Sequence, residues 1–194
     1  MSLHRHPQHD QHREQQWDES LRTGQRAVRA VTNFLESDLV KRSWFHTQLV
    51  QSVEEEPRYQ PLGIDLLWVV RESSFLRCIT VEVKGDRNDQ TGNFFFETVS
   101  DIERTTLGGF VVSRAEWLCY YFVNSGTLYC LPMQFVKPWF VENKHRFKER
   151  RAYSRRGQAT WSTAGHIVPI KTVLAEVAQV KAFRWQRNAW RGVT

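Results

Sequence analysis

Cysteine is scarce in this chain: Cys78, Cys119 and Cys130 are the only three among 194 residues. The number is odd and no Cys-x-x-Cys pair occurs. That argues against a disulfide framework or a cysteine zinc site, and for a reducing compartment. Cys119 and Cys130 are spaced to face each other across a hairpin, where both read as small core residues. Long apolar runs are also missing. None approaches the ~18 residues of a membrane span, and the first twenty residues lack the apolar core of a signal peptide. The expectation is a soluble, cytoplasmic protein. Acidic residues are rare toward the C-terminus. Residues 135–194 hold 13 basic and 3 acidic side chains, against 14 basic and 18 acidic before them. Such a segment suits a polyanion, although basic charge identifies no chemistry and, taken alone, is better read as a solvated surface.

Aromatic residues are plentiful, with 8 Trp, 5 Tyr and 12 Phe. The length suits one domain with its own core. Residues 1–19, with His4, His6, His9 and His12 among Gln, Arg and Asp, read as a disordered polar tail. Residues 20–40 read as an amphipathic helix, because Ala27, Val28, Val31, Phe34, Leu35 and Leu39 recur at helical spacing. A short helical piece is expected at 44–50 and a loop at 54–61. Strands follow at 63–70, 75–84 and 92–99, then a hairpin of 118–123 and 127–131 around Asn124-Ser125-Gly126. Helix returns at 133–150, residues 151–162 read as irregular, 166–170 as a strand and 172–180 as a helix. A basic, Trp-containing tail, 181–194, closes the chain. Helix, sheet and helix in that order predict a mixed α/β domain over 20–180.

The hairpin of residues 63–84 carries the chemistry. Ile79, Val81 and Val83 alternate with Thr80, Glu82 and Lys84, so Glu82 and Lys84 share a face. A two-residue turn at Glu72-Ser73 pairs Asp65 with Thr80; one at Ser73-Ser74 pairs it with Glu82. Either register puts Asp65 on the face of Glu82, whereas an odd-length loop would reverse it. Two carboxylates there can hold Mg²⁺, a hard cation that prefers oxygen. A nearby lysine can orient or deprotonate a water, or stabilise developing negative charge. The bland alternative is a salt bridge on a strand surface.

Gly63-Ile64-Asp65, a hairpin, then Val81-Glu82-Val83-Lys84-Gly85 resembles the PD-(D/E)XK nuclease superfamily. Asp65 and Glu82 stand 17 residues apart, which suits that family's hairpin. Thr91-Gly92-Asn93-Phe94-Phe95-Phe96-Glu97 is similar to the third core strand of its phage and bacterial, Holliday-junction-resolvase-like members. The later hairpin is similar as well, and the likeness covers roughly residues 20–178. The resemblance implies a restriction-endonuclease-like α-β-β-β-α-β core, with a mixed central sheet flanked by helices. It also implies a Mg²⁺- (or Mn²⁺-) dependent deoxyribonuclease, an endonuclease by expectation, serving recombination, repair or phage DNA processing. Asp65 and Glu82 would be its metal ligands and Lys84 would stand beside the nucleophile. Homodimers are common in that family.

The sequence departs from the family in places. Ile64 replaces the proline of the motif. Gln25 stands where an acid of the first helix is expected; Glu36 is the remaining candidate, or an ordinary solvent-facing glutamate. Glu97 is a further candidate if its strand lies beside that of Glu82, and otherwise an exposed strand residue. Lys144, Arg146, Lys148, Arg150, Arg151, Arg155 and Arg156 form the expected nucleic-acid contact, with Tyr153 and Trp161 nearby for base stacking. The competing reading is a catalytically weak or inactive nucleic-acid-binding module of the same fold.

Overall fold

The computed structural model describes residues 7–156 and 159–193, with side chains described for 19–152 and 161–193. In chain order the elements are α1 (Pro7–Leu35), α2 (Asp38–Ser43), β1 (His46–Ser52), β2 (Leu66–Glu72), β3 (Phe75–Asp86), β4 (Asn93–Asp101), β5 (Thr106–Leu107) and α3 (Gly109–Val112). They continue with β6 (Trp117–Phe122), β7 (Thr127–Pro132), α4 (Met133–Asn143), β8 (Lys148–Arg156), β9 (Ala159–Pro169), α5 (Ile170–Glu176), β10 (Lys181–Gln186) and β11 (Ala189–Gly192). The result is a mixed α/β fold with two sheets. Seven strands run in the order β1-β2-β3-β6-β7-β10-β11, and four in the order β5-β4-β9-β8. In the larger sheet only β3 and β6 pair in parallel.

Period-two alternation puts one apolar layer on each face of the larger sheet. On one face, Val28, Val31, Phe34 and Leu35 of α1 pack against Leu66, Trp68, Val70, Ile79 and Val81. On the other, Leu118, Tyr120 and Phe122 meet Phe94 and Phe96 of β4, Phe110 of α3, Val136 and Phe140 of α4 and Val168 of β9. Gly85 permits the close approach of α1. A β-carbon there would lie 2.8 Å from the Thr23 carbonyl oxygen and 2.9 Å from Ala27 Cβ. Cys119 and Cys130 do pair across the hairpin, as buried free thiols with sulfurs 3.9 Å apart.

Several elements differ from the sequence reading. Residues 7–19 belong to α1; His4 and His6 lie outside the described residues, as do the side chains of His9 and His12. Residues 46–50 are strand, not helix. Thr47 is held in β1 because its hydroxyl donates to the Leu35 carbonyl at 2.6 Å and accepts from Trp68 Nε1 at 2.9 Å. The helix expected to reach residue 150 ends at Asn143. The basic run beyond it is β8, paired with β9 from Lys148 to Arg156. Residues 181–192 form a hairpin that pairs with β7, closed by Arg187 and Asn188 at φ 50° and 59°. The 92–99 strand does not lie beside β3; as β4 it belongs to the smaller sheet. For the strands, a long-range backbone partner overrides a weak local pattern.

Gly85→Ala is expected to destabilise the fold by about 1–3 kcal/mol, since backbone and a buried methyl both resist the added carbon. Urea unfolding midpoints of the two proteins check this.

Candidate functional site

The turn between β2 and β3 fixes the site. Glu72 pairs with Phe75 and Ser73-Ser74 make the turn, so Leu66 stands opposite Val81. Continued by one residue, that register places Asp65 opposite Glu82, and the Asp65 N–H donates to the Val81 carbonyl at 2.9 Å. Directly opposed side chains have β-carbons ~5 Å apart, and Lys84 follows Glu82 on the same face after a further ~7 Å. Asp65, Glu82 and Lys84 therefore share the face turned away from α1.

Each carboxylate has a distinct environment. Asp65 Oδ2 accepts the Val83 N–H at 2.6 Å, and no hydrogen bond among the described residues engages its other oxygen. Burial raises its pKa above the usual value; the Val83 N–H opposes this, nearby Glu54 adds to it and Lys84 counters it. Glu82 is pushed up to about 7, chiefly by burial, with Asp65 adding repulsion, while the Ser113 hydroxyl, Lys84 and Lys137 pull the other way. Its Oε2 is one of two buried side-chain polar atoms without a hydrogen-bond partner among the described residues. A buried oxygen left unpaired is costly and demands an explanation.

The cover over Glu82 comes from α3 and α4. A β-carbon at Gly109 would lie 3.5 Å from Glu82 Oε1. The Gly109 N–H donates to Glu97 Oε1 at 3.4 Å, so Glu97 reaches this place from the opposing sheet, not from a strand beside β3. Glu97 stands at a register shift of β4, and a β-carbon on neighbouring Gly108 would come within 2.5 Å of the Glu97 carbonyl oxygen. Lys137 of α4 donates to the Val111 carbonyl at 3.1 Å and also to that of Ser113. Burial lowers its pKa, and Glu82 opposes that shift. Sequence reasoning missed Lys137 and Ser113, because neither belongs to a motif. Only the docking of α3 and α4 brings them to Glu82.

Of the first-helix candidates, Gln25 lies in α1 and Glu36 directly follows it; α1 packs on the other face of the sheet. Gln25 and Glu36 line a groove of about 510 Å³ with Arg29, Asn33, Ser52 and Glu54. That groove lies on the α1 side, and Glu54 is its link to Asp65. Among the described residues no three His, Cys, Asp or Glu side chains converge as a metal cluster. Asp65 and Glu82 remain as two hard oxygen donors with free lone pairs. That set fits Mg²⁺, which keeps several waters and needs only one or two carboxylates.

The basic stretch is divided in its commitments. Arg146 spends its guanidinium on Glu176, at 2.7 and 2.8 Å, and on Asn143. Lys144, Lys148, Arg150 and Arg151 are exposed, the last three on β8 at the edge of the smaller sheet. The side chains of Tyr153, Arg155 and Arg156 lie outside the described residues. Trp68 is buried in the core, and Trp44 and Trp117 pack against it half-buried.

Glu82 generates a pH dependence of stability. Its ordinary value is 4.5 and its folded value about 7, so the folded state binds more protons between the two. Stability from this group is complete below its unfolded pKa and is lost as pH rises through its folded pKa. Glu82→Gln should flatten that slope and stabilise the protein at pH 8 by about 1–3 kcal/mol relative to wild type. Denaturant titrations at pH 5 and pH 8 measure it.

No family model matches the chain, and no curated protein or solved structure matches it.

Proposed function

We propose that the protein is a divalent-metal-dependent nuclease that hydrolyses DNA phosphodiester bonds, with a core related to the restriction-endonuclease type. The observation that carries this reading is the buried, unpaired Glu82 Oε2 beside Asp65 and Lys84. A structural salt bridge would satisfy that oxygen; here Lys84 makes no hydrogen bond to it. Two carboxylates that repel each other in a dry place are explained by a cation between them. The strand order supports the same reading. An antiparallel β1-β2-β3 meander follows α1, and β3 pairs in parallel with a later strand.

Asp65 and Glu82 would hold Mg²⁺ or Mn²⁺. Such an ion, when bound, would supply a water of lowered pKa and neutralise charge on a phosphate. Lys84 supplies a positive charge on the same face, where it orients the attacking water or stabilises the charge that develops on phosphorus-bound oxygen. The Val83 N–H fixes the Asp65 carboxylate, so one oxygen stays aimed while the other remains available. Exposed Lys148, Arg150 and Arg151 offer sequence-independent contacts to the phosphate backbone.

A second reading, a nucleic-acid-binding module without catalysis, is favoured by one observation: among the described residues no third acid converges with Asp65 and Glu82, and Gln25 and Glu36 line a groove beside α1. The two readings part in a single assay. Purified protein is incubated with branched, single-stranded and duplex DNA, with and without Mg²⁺ or Mn²⁺. The nuclease reading expects metal-dependent cleavage of at least one substrate, and at least a hundredfold loss on Glu82→Ala or Lys84→Ala with DNA binding retained. Salt-sensitive binding without cleavage of any substrate supports the module. Undiminished cleavage by either variant overturns the assigned roles.

A further inference from the structure

The chain's last 18 residues contain no acidic side chain, and the β10–β11 hairpin carries Lys181, Arg184, Arg187 and Arg191. Its register sets Arg184 directly opposite Arg191. Like charges in that relation oppose strand pairing. Among the described residues no carboxylate relieves them. Arg184 gives its Nε–H to Thr127 Oγ1 at 3.1 Å and keeps its remaining donors, while Arg191 is exposed.

The opposite face of the hairpin explains why the pair stays in place. Phe183 and Trp190 pack into the α1 layer. Trp190 Nε1 donates to Asn33 Oδ1 at 3.1 Å, and the Trp185 ring lies 5.4 Å from that of Trp190. One face is anchored, and strand alternation therefore presents both arginines on the other. That other face is the one bearing Glu82 and Lys84. Register links place Arg184 level with Thr127, Phe122 and Asp86 in turn. Three strand spacings separate β10 from β3, or about 14 Å.

We propose that Arg184 and Arg191, with Arg187 at the turn, form a binding surface for the phosphate backbone of nucleic acid at the end of the sheet beyond Lys84. The choice of nucleic acid as the polyanion rests on the nuclease reading; the like-charged, anchored hairpin does not. Guanidinium groups match phosphate oxygens, and a ligand of repeated negative charge removes the repulsion that the free hairpin carries.

The test measures equilibrium binding of the full-length chain to a short fluorescent DNA, single-stranded and duplex, in EDTA across a salt series. Cleavage plays no part in the readout. Arg184→Gln/Arg191→Gln is expected to bind at least about tenfold more weakly, with the slope of log K against log salt reduced by about 2. Arg191→Glu should also bind more weakly, yet unfold at or above the wild-type temperature, because it replaces repulsion with an opposite-charge pair. Unchanged affinity and slope in both variants overturn the proposal. So does a loss of binding to anionic phospholipid vesicles with DNA binding intact, which would make the partner a membrane surface. Absence of any DNA binding by wild type overturns it too. If wild type binds through the hairpin but cleaves nothing with Mg²⁺ or Mn²⁺, the nuclease reading fails and this surface stands.

Discussion

The alternation of β3 between two apolar layers is the constraint on which the rest of the structure depends. β3 has a strand on each side and carries the only parallel pairing of the larger sheet. Ile79 and Val81 are fully buried against the α1 layer. Once they are fixed there, Thr80, Glu82, Lys84 and Asp86 have no choice of face. Thr80 and Asp86 then find partners in or beside the neighbouring strand β6. Thr80 accepts the Glu116 N–H at 3.1 Å, and Asp86 accepts the Tyr120 hydroxyl at 2.6 Å. Glu82 is the exception, and its exception is the chemical signal of the molecule.

Burial gives that exception its force. A carboxylate in water would titrate near its ordinary value and attract no comment. Covered by Gly109, Ser113 and Lys137, Glu82 holds its proton to about pH 7. The covering elements are short and closely fitted. Gly108 admits the backbone of α3 where a side chain would collide with the backbone at Glu97, and Lys137 ties down the carbonyls at the end of α3. A site that stores an unpaired oxygen needs such a rigid cover, since a mobile one would let water in and relieve it. The same cover makes the metal reading testable through stability as well as through cleavage.

Charge is distributed by a related logic. The acidic pair is central and half-enclosed, whereas exposed basic groups lie on β8 and on the β10–β11 hairpin, at outer strands of the two sheets. Arg146 shows that basic composition alone misleads. It belongs to the run that suggested a polyanion contact, yet its guanidinium closes a bidentate pair with Glu176, whose carboxyl is thereby held down at about 2. Arg184 and Arg191 show the reverse, because a segment that read as a tail holds its charges in fixed opposition.

The sequence by itself determined the period-two face of Glu82 and Lys84, the helical stripe of α1 and the β6–β7 hairpin. Those features are local, and side-chain period or turn chemistry decides them within a few residues. For Asp65 it left the face to the parity of the hairpin loop; the two-residue Ser73-Ser74 turn decides it. The tertiary structure alone decided what depends on distant backbone. It put β4 in a second sheet, turned residues 148–156, 181–186 and 189–192 into strands, and set Gln25 and Glu36 in a groove beside α1. It also brought Ser113 and Lys137 to the buried carboxylate. Strand pairing and helix docking join residues tens of positions apart. No local pattern encodes such a join, because the partner's hydrogen bonds and apolar surface supply its free energy.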